Sequence, residues 1–98
     1  QSRINIPEKQ LGQFCQRNHI VKLALFGSVL RDDFKAESDI DVLVEFEADR
    51  IPGLAFFEME AELTQIFGRK VDLNTPGFLS SKIREKVQQE AAVQYVKS

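Results

Sequence analysis

Two aspartates, Asp39 and Asp41, lie two residues apart in the segment with the clearest strand pattern of the chain. Side chains alternate across a β-strand, so both carboxylates leave the same face. Two carboxylates this close repel each other unless a positive charge neutralises them. Magnesium can do so, because it takes carboxylate oxygens together with phosphate and water oxygens. The spacing therefore predicts a divalent-metal site that handles phosphates.

A third carboxylate, Asp72, interrupts a short apolar run between Val71 and Leu73. Aspartate is disfavoured inside strands, so an acid here lies either at an exposed strand edge or facing a polar site. If its strand is a neighbour of the strand that carries Asp39 and Asp41, three carboxylates converge.

A segment suited to phosphate binding, Gly27-Ser28, is separated from the aspartate pair by ten residues. Gly27 lets the backbone approach a ligand closely. The N–H groups at the start of a helical turn attract anions, and the Ser28 hydroxyl adds a donor. Arg31 fits either a phosphate ligand or an ion-pair partner of the neighbouring acids. Together with the aspartates, this segment predicts metal-assisted chemistry on a nucleoside triphosphate.

Hydrophobic patterns place these residues on alternating helices and strands. The strand over 39–46 is the clearest, because every second residue from Ile40 to Phe46 is apolar. The full prediction is a helix from about 7 to 18 or 19, a strand over 21–26, one or two helical turns over 29–32, a strand over 39–46, a helix over 54–67, a strand over 70–73, a helix from 80 or 81 to about 91, and either a closing strand or a frayed helix end over 93–96. The fold class is α/β (α+β), with a small sheet that is antiparallel or mixed.

The helix over 54–67 has a defined end and an apolar side. Gly68 directly follows it and is a candidate C-cap. We expect Phe56, Phe57 and Met59 to be mainly core residues. The apolar surface over 54–57 is wide enough for part of it to face a partner, and exposed apolar surface on this helix or the last one is the candidate contact region.

Composition indicates one globular domain over residues 1–98, since 43% of the residues are hydrophobic and 29% are charged. The formal net charge of −2 argues against generic duplex-DNA binding, which needs a basic face. Cys15 is the single cysteine and lies on an apolar helix side, so we expect a core thiol in a reducing compartment. No apolar run approaches the roughly 18–20 residues of a membrane span. No signal peptide opens the chain, so we expect a cytoplasmic location.

The motif that begins with Phe26-Gly27-Ser28 and continues, after ten residues, with Asp39-Ile40-Asp41 resembles that of the nucleotidyltransferase domain of the DNA polymerase β superfamily. The chain is most similar to the smallest branch of that superfamily, the minimal nucleotidyltransferases. The resemblance extends over nearly the whole chain, including Val71-Asp72-Leu73 and the final helix. It implies a polymerase β-type fold, with a small mixed sheet and flanking helices, as a single minimal nucleotidyltransferase domain.

The resemblance also implies roles for individual residues. Asp39, Asp41 and Asp72 would be the catalytic residues and the ligands of a two-magnesium site, with ATP as the nucleotide donor. Gly27 and Ser28 would hold the triphosphate. Two further candidates for nucleotide binding each keep a structural alternative, since Arg31 also fits a surface ion pair and Ser38 also fits support of its turn.

The activity implied by the resemblance is transfer of AMP to a tyrosine of a partner HEPN-domain ribonuclease toxin, which makes the chain an antitoxin. The length fits a stand-alone member, so the acceptor would come from the partner. Two alternatives remain open at this point. The chain could mask a toxin by contact alone, as a non-catalytic binding module. It could also transfer nucleotides to a small-molecule or nucleic-acid hydroxyl, although the negative net charge disfavours nucleic acid.

Overall fold

The computed structural model of the chain describes residues 6–27, 39–50, 52–76 and 81–97. Its helices and strands follow the predicted alternation. They are α1 (Glu8–Arg17), β1 (Ile20–Phe26), β2 (Ile40–Phe46), α2 (Ala55–Phe67), β3 (Val71–Asn74), α3 (Ser81–Glu90) and β4 (Ala92–Val96). The helical turns predicted over 29–32 lie outside the described residues.

The described strands form one sheet in the order β3-β2-β1-β4. Strand β1 is antiparallel to both β2 and β4, whereas β2 and β3 are parallel. The sheet is therefore mixed, and the α/β prediction is confirmed. The segment over 93–96, which the sequence left as a strand or a helix end, is a strand that pairs with β1.

One face of the sheet carries the hydrophobic core. Register places Val42 beside Leu25 of β1 and Leu73 of β3, so apolar side chains of three strands lie on the same face. Helices α1 and α2 pack on this face and contribute most of the remaining core. The buried cluster contains Leu11, Phe14 and Cys15 of α1, Phe56, Met59, Leu63 and Phe67 of α2, and Ile20, Leu23, Leu25, Ile40, Val42, Val44, Val71 and Leu73 of the sheet.

Helix α2 ends as predicted, but its buried side differs from the expected one. Gly68 caps the helix in a left-handed conformation, with φ of 72°, and its N–H donates to the carbonyl of Thr64. Phe56 and Met59 are buried, whereas Phe57 is 68% exposed. The prediction of Phe57 as a core residue is therefore wrong. A helix turns about 100° per residue, so the neighbour of a buried Phe56 points away from the core.

Over the described ranges, no helix is both long enough and apolar enough to cross a lipid bilayer.

Candidate active site

Asp41 and Asp72 lie side by side on neighbouring strands. The parallel register of β2 and β3 pairs these two residues directly. Their apolar neighbours, including Ile40 and Val71, are buried in the core, so alternation places both carboxylates on the opposite face of the sheet. Asp41 is half-buried and Asp72 is exposed. The two strands are neighbours, and their register brings two of the three predicted carboxylates together.

The backbone of Gly27 lies against the carboxylate of Asp41. Gly27 directly follows β1, whose last residue, Phe26, pairs with Asp41. Its φ is 77°, in the left-handed region that favours glycine. A Cβ atom at this position would overlap Oδ2 of Asp41, so the carboxylate would have to move to admit any side chain. The absence of a side chain at Gly27 therefore makes room for the Asp41 carboxylate.

Asp39 precedes β2 by one residue and is exposed. The strand begins at Ile40, whose N–H donates to the carbonyl of Lys70 at 2.9 Å. Among the residues that the structure describes, no three side chains of the types His, Cys, Asp and Glu are grouped closely enough to hold a metal ion. The described site therefore consists of the neighbouring residues Asp41 and Asp72. Asp39 lies immediately before the strand that carries Asp41. The donor atoms of the site are all carboxylate oxygens, which fits magnesium.

Three predicted nucleotide-binding residues, Ser28, Arg31 and Ser38, lie outside the described residues. The structure places Gly27 and Asp39 at the two ends of the segment that contains them.

Two side chains that the sequence did not single out contact the strand of Asp72. The N–H of Val71 donates to Oγ1 of Thr64 at 3.1 Å, and the N–H of Leu73 donates to Oε2 of Glu60 at 2.9 Å. The spacing of Glu60 and Thr64 shows from the sequence only that both side chains lie on one side of α2. It does not show that this side contacts β3, which depends on how α2 packs.

A surface pocket of about 320 Å³ lies at the opposite end of the sheet. Its lining comes from the end of α1, the start of β1 and the ends of β2 and β4, and consists of Cys15, Gln16, His19, Ile20, Glu47, Tyr95 and Lys97. The carboxylate of Glu47 accepts a hydrogen bond from Lys97, which holds the pKa of Glu47 below its usual value. Burial raises the pKa of the Cys15 thiol to about 12. Cys15 is fully buried, so it is a core residue, as predicted.

Comparison with known proteins places this chain in a family. The sequence profile described as the nucleotidyltransferase domain matches residues 7–95. The protein adenylyltransferase MntA of Thermococcus cleftensis is 38% identical over 76 residues, which are 76% of this chain and 75% of that protein.

Solved structures share the fold. A structure assigned as a minimal nucleotidyltransferase superposes with a TM-score of 0.72 and 32% identity, over 86% of this chain and 85% of that one. A chain of the complex between the tri-AMPylated HEPN toxin of Shewanella oneidensis and its MNT antitoxin superposes with a TM-score of 0.66 and 23% identity, over 92% of this chain and 70% of that one.

Proposed function

The chain belongs to the nucleotidyltransferase domain family and is a nucleotidyltransferase, and from this premise we propose that it transfers AMP from ATP to a tyrosine hydroxyl of a HEPN-domain ribonuclease toxin. The modified toxin would be silenced, which makes the chain its antitoxin. Support comes from the similar proteins, of which one is named a protein adenylyltransferase and another is a chain of a complex between an AMPylated HEPN toxin and an MNT antitoxin.

The observation that carries this proposal is the pairing of Asp41 with Asp72 across β2 and β3, with Gly27 packed against Asp41. The pair is held by a sheet whose other face is the hydrophobic core, so the carboxylates sit on a rigid support. Asp72 is exposed, so a side chain of a second protein can reach it.

Each residue has a defined part in the proposed reaction. Asp39, Asp41 and Asp72 would hold magnesium, which when bound offsets the charge of the triphosphate and of the departing pyrophosphate. Gly27 and Ser28 would bind the triphosphate through main-chain N–H groups and a hydroxyl.

Asp72 is the accessible base for the acceptor. It would take the proton of the tyrosine hydroxyl, whose oxygen forms the new bond to the α-phosphorus while the bond to pyrophosphate breaks. Arg31 and Ser38 are the further candidates for contact with the nucleotide.

We place the toxin contact on the first turn of α2. Leu54 and Phe57 are 84% and 68% exposed, and exposed apolar side chains grouped on one turn are typical of interaction sites. Helix α2 packs against β3, the strand that carries Asp72. A toxin bound at this turn would therefore contact the helix that packs against the strand of Asp72.

The test uses ATP labelled at the α-phosphate, magnesium and the purified HEPN toxin from the same source. We expect label on the toxin with the wild-type chain and at least about 100-fold less with Asp39→Asn or Asp41→Asn, as is typical when an electrostatic catalytic group is lost. Asp49→Asn is the matched control, because Asp49 is an exposed acid in the turn after β2. A toxin whose tyrosines are replaced by phenylalanine should take up no label.

Undiminished labelling by Asp41→Asn would contradict the proposed site. Toxin inhibition without nucleotide, and without label under any condition, would instead support masking by contact alone.

A further inference from the structure

Strand β3 lies at the edge of the sheet as described and has only four residues, Val71–Asn74. It pairs with β2 on one side. The N–H groups of successive residues point to opposite edges of a strand, so those of Val71 and Leu73 point away from β2. Both residues flank Asp72. The outer edge of β3 therefore presents two donors directly beside a proposed catalytic group.

Helix α2 supplies an acceptor for each of these donors. Oγ1 of Thr64 accepts from Val71 at 3.1 Å, and Oε2 of Glu60 accepts from Leu73 at 2.9 Å. The Thr64 hydroxyl in turn donates to the carbonyl of Glu60 at 3.0 Å, which fixes the direction of its lone pairs. Both acceptor side chains are half-buried. The two side chains thus supply the hydrogen-bond acceptors that a further strand would supply along this edge.

These two hydrogen bonds act against a repulsion between two carboxylates. Asp41 and Asp72 are like charges on directly paired residues, and such a pair repels across a sheet. Asp41 lies on a central strand, whereas Asp72 lies on the short edge strand, which yields more easily. The position of Asp72 relative to Asp41 therefore depends on what holds β3 at its outer edge.

We propose that Thr64 and Glu60 are positioning residues for the transfer reaction, because they hold β3 from its outer edge and so keep Asp72 beside Asp41. This inference rests on the proposed function only through the role of Asp72. Neither side chain touches the nucleotide or the acceptor; both act through the backbone of β3.

The test compares variants that remove an acceptor with variants that keep it. Thr64→Val preserves shape but has no acceptor, whereas Thr64→Ser keeps the hydroxyl. Glu60→Ala removes the carboxylate, whereas Glu60→Gln keeps an oxygen acceptor. Glu58→Ala is the control, because Glu58 is an exposed glutamate on the same helix.

Two measurements are made on each variant. For Thr64→Val and Glu60→Ala we expect kcat for toxin labelling to fall by about 10- to 100-fold, the cost of a small misplacement of a catalytic group, with KM for ATP unchanged. Amide exchange at Val71 and Leu73, followed by NMR, should accelerate by about tenfold or more when the bonded acceptor is lost. Thr64→Ser, Glu60→Gln and Glu58→Ala should behave as the wild type in both measurements.

The possible failures are distinguishable. Unchanged kcat in Thr64→Val and Glu60→Ala, despite faster exchange, would overturn the positioning role alone. Equal loss of kcat in the Val and Ser variants would also overturn it, because the hydroxyl would then not be what matters. If the wild-type chain labels no toxin but the variants change amide exchange as expected, the result contradicts the proposed function. It does not contradict the fixing of β3 by Thr64 and Glu60.

Discussion

Gly27 and Gly68 adopt nearly the same left-handed conformation, with φ of 77° and 72°, in different surroundings. A Cβ atom at Gly27 would meet the carboxylate of Asp41, whereas one at Gly68 would meet nothing within 4 Å. The two positions therefore share the conformational cost of a side chain and differ in its steric cost. This makes them a matched pair for testing the contact between Gly27 and Asp41.

Gly27→Ala should reduce AMP transfer by at least about tenfold, because Asp41 must move to accommodate the methyl group and a displaced catalytic group loses rate steeply. Gly68→Ala should destabilise the fold by about 1 kcal/mol, from the left-handed conformation alone, and leave transfer intact. The measurements are kcat/KM for toxin labelling and urea unfolding. Equal transfer by the two variants, once both are shown to be folded, would mean that the position of Asp41 does not limit the reaction.

At the scale of single elements, strand β2 was predictable because its own residues determine its orientation. Apolar side chains at every second position from Ile40 onward demand a buried face, so Asp41 must lie on the other face. The placement of Asp72 was not predictable in the same way. Its proximity to Asp41 depends on β3 pairing with β2 and on their register, which are tertiary contacts that the residues around Asp72 do not specify on their own.

Helix α2 shows the corresponding weakness of periodicity within one element. A run of apolar residues such as Leu54-Ala55-Phe56-Phe57 is compatible with more than one choice of the buried side of the helix. The core takes Phe56 together with Met59, Leu63 and Phe67, and this choice leaves Phe57 exposed. The error is informative, because it separates the residues that stabilise the fold from those available to a partner.

Phe57→Ser should therefore weaken toxin binding by about 30-fold, the loss typical of an aromatic anchor at an interface, with little effect on folding. The rate of labelling at saturating toxin should stay near that of the wild type, because Phe57 lies outside the proposed catalytic group. Binding is measured by calorimetry and folding by thermal unfolding. Val96→Thr is the control, since Val96 is an exposed apolar residue on β4. Equal affinities for the two variants would place the toxin contact elsewhere.

At the scale of the whole molecule, the hydrophobic core and the proposed catalytic residues lie on opposite faces of the sheet. Its core face is covered by α1 and α2, while the acidic pair lies on the other face. The formal net charge of −2 disfavours a nucleic-acid acceptor, because binding nucleic acid needs a basic surface. A protein hydroxyl carries no such penalty. The accessible edge position of Asp72 fits an acceptor that is presented by another folded protein.

The proposed chemistry makes the whole molecule a catalyst rather than a stoichiometric inhibitor, and this difference is measurable. With ATP and magnesium, a small fraction of one equivalent of the chain should abolish the ribonuclease activity of the entire toxin pool, because each molecule acts repeatedly. Without ATP, or with Asp41→Asn, inhibition should require at least one equivalent, since only binding remains. The measurement is residual ribonuclease activity as a function of the molar ratio of chain to toxin. A titration that ends at one equivalent with and without ATP would show that masking alone silences the toxin.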